Sequence, residues 1–202
     1  MAIKAVLFDV GGVLVGINGL WEQACQVFQV QDRDVFWQLF NSAALPACRG
    51  EESVADCWRG LARQLEITVP ESVLQSLWVD DFIDSVEVSQ EVVEIAQALS
   101  PRYQIGIISN SMPQHSRILR EMGLYRGFDP VLLSDEVGIT KDDPRIFDIA
   151  LEKLGTQAGE TVFIDDVERF AATASGRGIH ALLFRSPDIL RRELEDLGLR
   201  LQ

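Results

Sequence analysis

Asp9 closes a short apolar run, Ala5-Val6-Leu7-Phe8, and is followed by Val10-Gly11-Gly12. This puts a carboxylate on a tight turn whose glycines let the backbone approach a ligand. The plainer reading of Asp9 alone is a turn cap. Asp165 and Asp166 end another apolar run, Thr161-Val162-Phe163-Ile164. Adjacent carboxylates repel one another unless a cation neutralises them, and hard oxygen ligands of this kind suit Mg²⁺. Capping of a helix by one of the pair is the alternative. Ser109 and Asn110 add a hydroxyl and an amide at the end of Ile105-Gly106-Ile107-Ile108. Lys141, just ahead of Asp142-Asp143-Pro144, reads by itself as a solvated surface lysine.

The elements that must position these groups follow one design. Besides the three runs above, Val131-Leu132-Leu133 ends at Ser134-Asp135 and Ala181-Leu182-Leu183-Phe184 ends at Arg185. Runs this short, apolar throughout and rich in branched residues predict strands buried on both faces of a parallel sheet. Between them, Asp143-Pro144 and Ser186-Pro187 each put a capping side chain before a first-turn proline. Gly123, Gly155 and Gly178 stand where helices need a left-handed end. Alternating strands and helices predict a doubly wound, Rossmann-like α/β domain. In such sheets ligands bind beyond the carboxyl ends of the strands. Asp9, Ser109, Asn110, Asp165 and Asp166 all fall there.

Residues 16–90 break the alternation and show only helical periodicity, with Leu20, Ala24, Val27 and Phe28 on one face and Val54, Trp58, Leu61, Ala62 and Leu65 on another. All four tryptophans (Trp21, Trp37, Trp58, Trp78) and all three cysteines lie in it. The expected organisation is a core domain of residues 1–15 and 91–202, with an inserted α-helical domain of residues 16–90. From Ser186 onward a terminal helix is expected, its Arg191, Arg192, Glu193 and Glu195 face solvated.

Composition narrows the partners. A net charge of -13 over 202 residues repels nucleic-acid phosphates and anionic lipid. A bound cation can still invert the potential inside one cleft, so a small anionic substrate stays open. Cys25, Cys48 and Cys57 show no C-x-x-C spacing and read as reduced, packed thiols. No apolar run approaches a membrane span, and the N-terminus has no signal-peptide shape, so a cytoplasmic protein is expected. His115 is expected on the exposed face of the helix after Pro113, without a role.

Four motifs, in order, make the sequence similar to the haloacid dehalogenase (HAD) superfamily along nearly its whole length. Val6-Leu7-Phe8-Asp9-Val10-Gly11-Gly12-Val13-Leu14 resembles the first and Ile107-Ile108-Ser109-Asn110 the second. Lys141 with Asp142-Asp143-Pro144-Arg145-Ile146-Phe147 resembles the third, and Val162-Phe163-Ile164-Asp165-Asp166 the fourth. The inserted helices correspond to the family's helical cap. The F-D-x-G-x-V start is shared with cytoplasmic sugar phosphatases of the α-glucose-1-phosphatase type. The resemblance implies Asp9 as nucleophile, forming an aspartyl-phosphate. It implies Mg²⁺ held by Asp9, the Gly11 carbonyl, Asp166 and Asp165, and phosphoryl oxygens held by Ser109 and the Asn110 backbone N–H. Lys141 would steady the transferring group and orient Asp9. Arg49, in Arg49-Gly50-Glu51, matches the cap loop that reaches substrate, although an exposed helix connection is the plainer reading. The implied partner is a small phosphorylated metabolite, bound by a monomer or a homodimer.

Three departures stand out. Gly11 occupies the place of the family's general acid and base, Asp142 that of a proline, and Phe170 that of a frequent asparagine. Loss of an acid and base typically costs ~10²–10⁴ in rate, unless solvent or a cap carboxylate such as Glu51 substitutes, or the leaving oxygen is already acidic. A dehalogenase acting at carbon, a phosphomutase and a non-catalytic phosphate or partner binder are the competing readings. The paired carboxylates favour phosphorus.

Overall fold

The computed structural model describes residues 2–201; Met1, Gln202 and the side chain of Trp78 lie outside the described residues. Numbered along the chain, β1 is Ala5–Phe8, β2 Val15–Ile17, β3 Val86–Val88, β4 Gln104–Ser109, β5 Val131–Leu133, β6 Thr161–Asp165 and β7 His180–Leu183. The five expected runs form one sheet, ordered β5-β4-β1-β6-β7 and parallel throughout. Its middle strands are covered on both sides, which is why β1 and β6 carry no polar alternation. Val6 and Phe8 face one apolar layer, Ala5 and Leu7 the other, as the two-residue period of a strand requires.

Helices supply the layers. The first contains α6 (Gln90–Leu99), α7 (Pro113–Glu121) and α11 (Pro187–Asp196), through Val92, Ile95, Leu119, Leu190 and Leu194. The second contains α9 (Arg145–Leu154) and α10 (Glu168–Gly176), through Ile146, Phe147, Phe170 and Ala174. The Ser186 hydroxyl accepts the N–H of Ile189 at 3.3 Å, so that expected cap forms. Instead of an Asp143 cap, α9 has Pro144 at its N-cap, with Asp143 one residue outside and accepting the N–H of Arg145 at 3.0 Å. Strand order reverses between β1 and β6, the switch point where such sheets open a crevice. Phe8 pairs with Ile107 and with Ile164. Asp9, Ser109 and Asp165 therefore leave the sheet at nearly one level.

The inserted segment contains α1 (Leu20–Val27), α2 (Arg33–Cys48), α3 (Val54–Gln64), α4 (Glu71–Trp78) and α5 (Asp80–Ser85). The helix-only expectation for residues 16–90 needs a correction, because β2 and β3 pair antiparallel where the chain leaves and re-enters the core. Three residues each are too few for a two-residue period to stand out in sequence. The inserted helices close on aromatic rings. Trp58 lies 5.4 Å from Phe28 and 4.8 Å from Phe40, ring centre to ring centre, and Trp21 packs on Trp37 at 4.6 Å. Burial drives the thiol of Cys48 up to about 11 and that of Cys57 to about 12, so both behave as packed apolar groups.

Among the described residues, several contacts seat these inserted helices on the sheet domain. The Val54 N–H donates to Oε1 of Gln114 at 3.2 Å. Gly50, with φ +72°, lies so close to the Asp135 carbonyl that a Cβ would sit 2.3 Å from its oxygen. Phe82 of α5 stacks on His115 of α7 at 3.7 Å and 7°. The last contact corrects the exposed reading of His115: its ring is part of the cap–core joint. Among the described residues no helix is long and apolar enough to cross a membrane.

Candidate active site at the carboxyl edge of the sheet

The turn after β1 is wound tightly. The Val10 carbonyl accepts the N–H groups of both Leu14 and Val15 at 2.9 Å, and Gly12 N–H donates to the Val15 carbonyl at 2.8 Å. Gly12 has φ +78°, and a Cβ there would lie 2.2 Å from Oδ2 of Asp166. The bare backbone at this point admits a neighbouring carboxylate, and any side chain would push Asp166 away. Gly11 differs: a Cβ on it would meet nothing within 4 Å.

Asp9 is fixed from below by its N–H, which donates to Ile164 at 2.9 Å. Asp165 is fixed locally, its Oδ1 accepting the Val167 N–H at 2.8 Å as the chain turns into α10. Lys141 arrives from the loop after the single-turn helix α8 (Ser134–Val137). Its backbone N–H donates to Oδ1 of Asn110 at 2.8 Å. Its ammonium reaches Oδ1 of Asp9 at 2.8 Å and Oδ2 of Asp165 at 2.6 Å. Lys141 is 1% exposed, so it is a core lysine rather than the surface lysine its sequence neighbours indicate.

Oxygens of Asp9, Asp165 and Asp166 all lie within 4.8 Å of one another. Three carboxylates thus face one ammonium. Burial, and then Asp9, raise the carboxyl group of Asp165 above its ordinary range. The same two causes raise Asp166 to about 6, although that residue opens to solvent. Burial alone would lower Lys141, but Asp9 and Asp165 outweigh it and raise it. An unbalanced set of hard oxygen donors of this size fits a divalent cation such as Mg²⁺.

A stability test follows from the signs. A carboxyl group whose folded pKa lies above its unfolded value holds more protons when folded. Stability of the metal-free protein should therefore fall as pH rises from about 4 through about 7, then level off. Mg²⁺ should offset the loss at pH 7.5, adding ~2.7 kcal/mol at a hundred times its Kd. Urea melts with and without Mg²⁺ at the two pH values check both; a metal-free protein more stable at pH 7.5 than at pH 5 would contradict the charge balance.

The remaining expected residues are placed less centrally. Ser109 is buried, and its hydroxyl donates to the Asn110 carbonyl at a long 3.4 Å. The Asn110 side chain is used on Lys141, a role sequence reading did not assign. Arg49 is exposed at the end of α2, where its charge acts on Asp143. The Asp143 carboxyl is held down at about 2, chiefly by hydrogen bonds from Arg145, with Arg49 adding to them. Glu51 is exposed beside it. Sequence reading also passed over a polar network at the end of β5. The Ser134 hydroxyl accepts the Ser111 N–H at 3.0 Å, and Ser116 donates to Asp135 at 2.6 Å. The signal available was Ser134-Asp135 at a strand end, the same signature as the other sites.

Known proteins resemble this chain in sequence and in fold. The family profile described as haloacid dehalogenase-like hydrolase matches residues 3–174. Acyl-CoA dehydrogenase family member 10 of Mus musculus is 28% identical over 96% of this chain, which spans only 19% of that protein. A phosphatase of Mycobacterium tuberculosis is 25% identical, with 98% of this chain and 96% of that one covered. A HAD family enzyme of Bacteroides thetaiotaomicron, solved with magnesium and inorganic phosphate, has a TM-score of 0.70 at 23% identity, covering 91% of this chain and 95% of that one. At that identity the likeness shows the fold.

Proposed function

The chain belongs to the haloacid dehalogenase-like hydrolases, and on that premise we propose that it is a Mg²⁺-dependent phosphatase of a small phosphomonoester, working through an aspartyl-phosphate on Asp9. The observation that carries the reading is the convergence of Asp9, Asp165 and Asp166 within 4.8 Å around a buried lysine. Asp9, Asp165, Asp166 and the Gly11 carbonyl are the ligands proposed for Mg²⁺, which when bound screens the charge between an anionic nucleophile and an anionic substrate. The mycobacterial phosphatase and the bacterial enzyme solved with magnesium and phosphate support this choice of metal and reaction.

The chain's own groups divide the work. Lys141 holds Oδ1 of Asp9, leaving Oδ2 to attack phosphorus as the bond to the leaving oxygen breaks. Ser109 and the Asn110 N–H bind phosphoryl oxygens, and Asn110 Oδ1 keeps the Lys141 backbone in register. Water then attacks the phosphorus, freeing phosphate and restoring the Asp9 carboxylate. Arg49 and the rim of the cap meet the organic part of the substrate. Attack at carbon would need neither the paired carboxylates nor the metal they fit.

Gly11 provides no proton for the leaving oxygen, which favours esters whose leaving oxygen is already acidic, such as a sugar 1-phosphate. The test is a panel of sugar phosphates assayed with Mg²⁺ and with EDTA. Turnover should vanish with EDTA, and the anomeric phosphate should exceed a primary one in kcat/KM. Gly11→Asp, which has room for its Cβ, should raise turnover of the primary ester by ~10²-fold and change the anomeric one little. Activity indifferent to EDTA would overturn the metal reading; equal kcat/KM for the two esters would overturn the substrate class.

A further inference from the structure

Asp142 and Phe170, two of the positions where this chain leaves the family pattern, are joined in space. Phe170 lies on the first turn of α10 and is 5% exposed. The Lys141 ammonium stands 4.6 Å from its ring centre. On the solvent side, the guanidinium carbon of Arg169 lies 4.7 Å from the same ring centre. Arg169 Nε in turn approaches Oδ1 of Asp142 at 3.4 Å. Because Asp142 follows Lys141 and Arg169 precedes Phe170, these contacts close a ring: backbone, ion pair, backbone, then cation against aromatic face.

A phenyl face attracts a cation through its electron-rich centre, most strongly away from water. It offers no lone pair, so it draws none of the ammonium's N–H groups away from the two carboxylates. An amide at the same place would compete for one of them. We propose that Phe170, steadied by the Arg169–Asp142 pair, is the positioning residue for Lys141, its ring face keeping the ammonium aimed at Asp9 and Asp165 during phosphoryl transfer. The kinetic consequence rests on the phosphatase reading above; the contact does not.

Phenylalanine carrying one, two or three ring fluorines, incorporated at position 170, keeps its shape while draining the face of negative charge. The expected result is a stepwise fall in kcat, about tenfold by the third fluorine, with KM little changed. In the intact protein the ε-methylene protons of Lys141 should show an upfield ring-current displacement by NMR. In Phe170→Leu that displacement should shrink to the smaller contribution of Phe163, whose ring centre lies 6.0 Å from the ammonium. A flat fluorine series beside an impaired Phe170→Leu would make the ring mere filling and overturn the proposal, as would the absence of the displacement from the wild type. A wild type inert on every phosphate ester yet showing the displacement would refute the phosphatase reading and leave the contact standing.

Discussion

Asp9→Asn is expected to abolish phosphatase turnover, by ~10⁴-fold or more, while the protein folds as before. The magnitude is the one seen when a covalent hydrolase loses its nucleophile, since nothing else in the site can take over bond formation. Retention of the fold follows from shape. The amide replaces an oxygen by a group of nearly the same size, and the residue's backbone anchor, its N–H to Ile164 at 2.9 Å, does not involve the side chain. The variant removes one negative charge from a cluster of three carboxylates facing one lysine, so its metal-free form should be at least as resistant to urea as the wild type at pH 7.5. Turnover and urea midpoints on the same preparations check both halves. Substantial residual turnover on a folded Asp9→Asn would transfer the nucleophile to another group.

Lys141→Met should be damaging in both respects. Methionine fills the apolar part of the volume, but Asp9 and Asp165 lose contacts of 2.8 and 2.6 Å to a buried cation. Removing one member of a buried ion pair strands the other, at a cost of ~3–5 kcal/mol. Without the ammonium the Asp165 carboxyl is pushed up further above its unfolded range, so the deficit should be largest well above neutrality and shrink as the solution is acidified. Urea titrations of wild type and variant at pH 8 and pH 5 read this directly. kcat should fall by ~10²–10³, the scale for loss of one preorganised charge on the transferring group. A variant as stable as the wild type at pH 8 would mean that Lys141 does not balance these acids in solution.

Much of this site is legible in the chain because strand ends are. Uniformly apolar runs ending in Asp9, Ser109 and Asp165 read as central strands, short and rich in branched residues, and one parallel register then brings their last residues to one edge. What resists sequence reading is contact between distant loops. Nothing local in Lys141 tells that it is almost fully buried; that depends on Asp9, Asp165 and Phe170 arriving from three other segments. Gly12 illustrates the same limit. Its type and turn are readable, but its partner, the Asp166 carboxylate, lies just past the end of a strand some 150 residues away. His115 and the β2–β3 ribbon escaped for a related reason, since the joint between cap and core is made of single residues and very short strands that carry no periodicity of their own.

A covalent bond between phosphorus and Asp9 is the step on which the proposed reaction turns. Gly11 supplies no base for the water that must break it, so the phosphoryl-enzyme should persist long enough to trap. Acid quench during turnover of a sugar 1-phosphate, followed by borohydride reduction, converts an acyl-phosphate to the alcohol, and peptide mass spectrometry locates it. Homoserine at position 9, absent without substrate and from Asp9→Asn, is the result expected. Steady release of phosphate with residue 9 unreduced at every quench time, or reduction at a different carboxylate, would contradict it.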